Sequence, residues 1–138
     1  MLGEKIGEIT GIITSQRILN VEEDCPKIEV SISGSGKFKG INVTEMWTYF
    51  SLHRNDGSIY GEGKGVITAT NGNEYATATG SSVGRHTKSG KMRYAGTHFY
   101  RTSSSEGKLS FLNNLVAVIE YEVHHKSSSY THRLWEWK

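Results

Sequence analysis

The stretch SIYGEGKGVITATNGNEYATATGSSVG, Ser58 to Gly84, limits what this chain can fold into more than any other segment. Glycines at 61, 63 and 65 alternate with other residues and run into alternating β-branched and small ones, the period of two that belongs to strands. Glycine weakens a strand. Three on one face make sense where a sheet must coil sharply or where another group comes close to bare backbone. A phosphate cradle would instead need GxGxxG or GxxxxGK[ST] between a strand and a helix, and GEGKGV has neither that spacing nor a helix after it. The glycines therefore shape a sheet.

The same alternation runs from end to end, with hardly any helical periodicity. Turn signals at Asp56-Gly57, Asn71-Gly72 and Ser89-Gly90 punctuate it. Strands are expected near 4–18, 27–40, 41–54, 58–70, 74–87, 91–102, 108–124 and 130–137. A meander this long hides its edges best by closing on itself, so the expected fold is all-β: one antiparallel barrel of roughly eight strands spanning 1–138 as a single domain.

Two-residue turns fix the register. About Asp56-Gly57 they set Leu52, Phe50 and Thr48 opposite Gly61, Gly63 and Gly65. About Asn71-Gly72 they set Gly65, Gly63 and Gly61 opposite Ala78, Gly80 and Ser82. Carried through Ser89-Gly90, the register puts Phe99 opposite Gly80. On this reading the lumen has a small-residue floor with Met46, Phe50, Leu52 and Phe99 laid over it as ligand-binding residues. The other face carries Glu45, Trp47, Tyr49, Glu62, Tyr94, His98 and Tyr100. It reads either as a solvated sheet face or as the cavity lining. In the second case Glu62 and His98 are the candidate acid/base pair, with Tyr49 or Tyr100 holding a polar group. If the face points outward, its aromatics, with Trp47, Tyr49, Tyr60, Val66, Val83, Tyr94 and Tyr100 together, suggest a surface for self-association.

Several function classes are disfavoured. Sixteen Lys+Arg are scattered against 14 Asp+Glu, so no nucleic-acid stripe is visible. The six histidines show neither HExxH nor HxH, and His124 and His125 point to opposite sides of a strand, so no metal site and no cofactor are expected. GxSxG is absent. The single cysteine, Cys25, excludes an internal disulfide and reads as structural. No signal-like start and no long apolar run is present, so a cytoplasmic location without membrane attachment is expected. LNNLVAVIEYEV reads as a strand buried on both sides, and Trp135 and Trp137 of LWEWK as the closure of one barrel end.

RNDGSIYGEGKGVITATNGNE, TGSSVGR, LNNLVAVIEYEV and the final LWEWK resemble the small β-barrels of the allene oxide cyclase-like superfamily, and within it a bacterial and archaeal branch of unknown function. The resemblance implies an eight-stranded barrel with an apolar lumen that assembles as a homo-oligomer, a dimer or trimer. The expected function is binding of a small apolar molecule in the lumen. The alternative is a cyclase or isomerase acting on an unsaturated apolar substrate.

Overall fold

The computed structural model describes residues 1–72 and 74–138. Eight strands follow one another: β1 (Leu2–Asn20), β2 (Lys27–Phe38), β3 (Ile41–His53), β4 (Ile59–Ala69), β5 (Tyr75–His86), β6 (Lys91–Arg101), β7 (Val116–His124) and β8 (Ser129–Trp137). Each pairs antiparallel with the next, and β8 pairs with β1, which closes the barrel. β1 bonds to both neighbours and carries register shifts against each, the irregularities that let a 19-residue strand bend around a small barrel. Among the described residues no helix is long and apolar enough to cross a membrane.

The turns decide which residues face inward. Lys39 and Gly40 both have positive φ (48° and 78°), which makes a two-residue turn of the mirror-image type. The Asp56-Gly57 hairpin is different. Arg54 N–H bonds Ser58 O (2.9 Å), Gly57 N–H bonds Arg54 O (3.1 Å) and Gly57 sits at φ 86°, so three residues form the loop. Ser89-Gly90 repeats that geometry, with Thr87 N–H to Lys91 O at 2.8 Å and Gly90 at φ 79°. One extra loop residue slips the register by one and turns a strand over. Trp47, Tyr49 and Ser51 thus oppose Gly65, Gly63 and Gly61, and His98 opposes Gly80. Between Ala69 and Glu74, bonded at 3.0 Å, four residues intervene, an even number. There the expected pairs Gly65–Ala78, Gly63–Gly80 and Gly61–Ser82 are all formed.

The interior is filled by side chains, including Ile9, Ile32, Phe38, Val43, Ile67 and Leu134. One end is plugged by the connection between β6 and β7, where a strand was expected from residue 108. A 3-10 turn at Ser110–Leu112 buries Leu109 and Leu112 instead. The plug is tied to the start of β5 by Glu74, whose carboxylate accepts Leu109 N–H (2.7 Å) and Lys108 N–H (3.0 Å). On its far side Phe111 lies under the Lys39 ammonium at 5.1 Å. Trp135 and Trp137 do not close an end, because His132 and Leu134 take the inward positions of β8. Trp135 pairs with Val118 on the outside, and Trp137 is exposed. β7 is therefore buried on its lumen side and only half-covered at Val116 and Val118.

Candidate functional site

Inward-facing aromatics occupy the space that the glycines leave. A Cβ on Gly65 would collide with the Trp47 ring, one on Gly80 with His98 and one on Gly84 with Tyr94. Rings lying over bare backbone were expected, but on the wrong rings. The slipped register puts Met46, 67 % exposed, and Phe99, 51 % exposed, on the outer surface. Phe50 and Leu52 also face out, and Lys27 covers the Phe50 ring at 4.2 Å. Phe50, Phe99 and the exposed Glu62 come together in an outer groove of about 530 Å³ with Tyr60 and Lys64, separated from the lumen by the Gly63–Gly80 pair.

Glu62 and His98 therefore lie on opposite faces of the sheet and form no acid/base pair, whereas His98, Tyr49 and Tyr100 are all in the lumen. The face proposed for self-association is divided in the same way. Tyr60, Val66 and Val83 remain outside, and Trp47, Tyr49, Tyr94 and Tyr100 turn inward.

At the centre of the lumen is a carboxylate absent from the expected site, Glu45, which is 1 % exposed. It accepts the Trp47 indole N–H (3.1 Å) and the Tyr130 hydroxyl (2.9 Å), and His132 Nδ1 lies 3.2 Å from the same Oε1 that takes Trp47. A carboxyl group this buried persists only with partners of this kind. With donors on both oxygens the group acts as an acceptor, and a proton on His132 Nδ1 completes that donor set. Its Nε2 is buried and bonds to no protein atom.

His98 stacks on Trp47, with ring centroids 4.2 Å apart, and lies 4.9 Å from the His132 ring. Its Nδ1 meets the Tyr100 hydroxyl at 3.1 Å. Burial, reinforced by His132, pushes the His98 pKa well down, so its ring is neutral. Burial, reinforced by Glu45, pushes Tyr100 well up. Tyr100 therefore keeps its proton, and its donation to Nδ1 corresponds to the His98 tautomer protonated on Nε2. Beside this pair, Tyr49 and Tyr121 share a hydroxyl contact of 2.9 Å, and burial pushes Tyr49 up to about 12.

Trp47, Tyr49, Gly63, Gly80, His98 and His132 line a cavity of about 50 Å³. A second, of about 110 Å³, opens at the unplugged end beside Ser51, His53, Met92 and His125, and Tyr49 and Tyr94 belong to both walls. An apolar cavity of about 150 Å³ holds a benzene ring. The inner chamber alone thus admits only a few heavy atoms, and a ring-sized molecule needs Tyr49 and Tyr94 to turn aside and join the two. Among the described residues no cluster of three or more His, Cys, Asp or Glu is arranged to hold a metal ion.

Glu45 and His132 could have been found from their alternation with Trp47 and Leu134 on strands that needed a buried face. Only the true turn lengths, however, say which face that is.

No family model matches the chain, and no curated protein does. Solved structures share the fold, among them two proteins of unknown function. A protein of unknown function from Clostridium acetobutylicum superposes with a TM-score of 0.80 at 12 % identity, over 98 % of each chain. A conserved protein of unknown function from Rhodopseudomonas palustris gives 0.78 at 12 % identity, over 99 % of this chain and 97 % of its own. At this identity the likeness is one of fold: small proteins of unknown function built on a closed eight-stranded barrel.

Proposed function

We propose that the barrel binds a compact, weakly polar organic molecule in its lumen, against the wall formed by Trp47, His98 and His132. The observation that carries this reading is the His132 Nε2. The Trp47, Tyr130 and His132 Nδ1 atoms that meet Glu45 all have a hydrogen-bond partner, and a buried acceptor without one disfavours the ligand-free protein. A ligand bearing one donor removes that penalty, and the surrounding rings supply apolar contact and shape. The chambers are too small for a long lipophile, which narrows the expected apolar ligand to something about the size of a single ring.

Phenol, cyclohexanone and a medium-chain fatty acid distinguish the possibilities in thermal-shift and histidine-ring NMR titrations. Phenol is expected to raise Tm and move the His132 ring resonances, and the fatty acid to do neither. If no ring-sized compound binds, or if binding is unaffected in His132→Phe, the lumen is not the site.

A further inference from the structure

We propose that His132 and His98 form a proton-transfer pair that isomerises a compact carbonyl compound, with His132 as general base and His98 as general acid. This rests on the lumen-binding reading above and adds a reaction to it. The two rings sit 4.9 Å apart in the wall of one cavity. Glu45 holds the His132 proton on Nδ1 and leaves the Nε2 lone pair free. Tyr100 occupies the His98 Nδ1 and leaves the proton on Nε2, whose ring edge lies against Gly80 in the same wall. Both rings line one small space, and a base and a donor side by side are what a 1,3-proton shift requires.

The step balances without any further reactant. His132 Nε2 takes a proton from the carbon next to the carbonyl. The C–H electron pair becomes the enolate double bond, and the carbonyl oxygen is stabilised by the hydrogen bond from His98 Nε2–H. The charge on the resulting His132 imidazolium is matched by Glu45, which sits in place beforehand and does not itself react. The same proton is then returned to the γ-carbon of a β,γ-unsaturated ketone, which leaves the conjugated isomer. His132 and His98 are the catalytic residues, and Glu45 is a positioning residue.

Cyclohex-3-en-1-one serves as the probe, with conversion to its conjugated isomer followed by ultraviolet absorbance and its binding followed by the histidine ring resonances. The full-length protein is expected to bind it and to accelerate the conversion, with His132→Gln slower by about 10²-fold or more. Binding with conversion no faster than in buffer overturns the reaction and leaves the binding reading intact. No binding of this ketone overturns the reaction, while the binding reading stands or falls on the donor-bearing phenol. A readout independent of turnover is the nitrogen NMR tautomer of His132. In the wild type the proton is expected on Nδ1, and in Glu45→Gln on Nε2, with kcat falling while KM holds. A wild-type proton on Nε2, the state of a ring that only donates to a bound water, overturns the proposal whatever the variants do.

Discussion

Tyr130 on β8 donates its hydroxyl to Glu45 on β3 at 2.9 Å, joining two strands that are not neighbours in the barrel and lie 85 residues apart in the chain. The bond holds a carboxyl group and its partners in a lumen lined largely by aliphatic and aromatic side chains. Glu45→Ala would leave the Trp47, Tyr130 and His132 donors without their acceptor and is expected to cost about 3–5 kcal/mol in urea unfolding. Tyr130→Phe removes one donor of three and is expected to cost about 1–2 kcal/mol. A loss below about 1 kcal/mol for Glu45→Ala would show that the network does not hold the fold together.

Gly65 and Gly80 have no room for a side chain, because Trp47 and His98 already lie on them. Each alanine substitution is expected to destabilise by about 1–3 kcal/mol through overpacking. Gly65→Ala should also shift the Trp47 fluorescence directly, and Gly80→Ala should shift it through the His98 ring stacked on Trp47. Equal Tm values for both variants and the parent would contradict the ring-over-glycine packing.

Acid should weaken the fold through His98. Its pKa in the folded protein lies well below the usual 6.5 because burial disfavours its charged form, so the unfolded chain binds the proton first. The contribution is complete above pH 6.5 and is lost progressively as pH falls below it, down toward the depressed folded value. His53 is lowered too, by burial and by His86 and His125, and acts in the same direction. Tm measured from pH 7.5 to 5 is expected to fall, and His98→Gln to flatten that slope. A His98→Gln slope as steep as the wild type's would place the effect elsewhere.

Alkali should weaken it through the tyrosines. Burial raises Tyr49 to about 12 and Tyr94, Tyr100, Tyr121 and Tyr130 as well, so their neutral forms favour the folded state. That stability is present below the usual value of 10 and is lost as pH rises above it. In a near-ultraviolet titration these hydroxyls are expected to ionise together with the loss of the strand circular dichroism. Ionisation of all of them before any unfolding would contradict their burial.

The Asn55–Gly57 loop sets the face of β3 against β4 by having three residues. Deleting Asp56 leaves a two-residue Asn-Gly turn, whose preferred register would swing Trp47, Tyr49 and Ser51 out of the lumen. The expected result is loss of cooperative unfolding and of dispersed NMR signals. A variant that melts like the wild type would mean that β3 is held by β2 and the core alone.

The sequence by itself determined the class of fold. Alternation, the turn residues and the need to hide sheet edges lead to an all-β meander of eight strands, and all of them lie close to where they were expected except β7, which starts at Val116 rather than 108. Gly61, Gly63, Gly65 and Gly80 likewise announced a wall needing rings laid over it. Tertiary structure decided which rings. Asp-Gly and Ser-Gly suit two-residue and three-residue hairpins alike, and the single-residue difference exchanges the faces of β3 and β6 while β4 and β5 stay as read. The meeting of Glu45 with Tyr130 and His132 was also beyond local reading, because barrel closure brings β3 and β8 together and nothing within either strand encodes the other's approach. Side-chain periodicity is a local property that sequence carries directly. Its phase, and the partners it meets across the lumen, depend on every loop and on closure of the whole sheet.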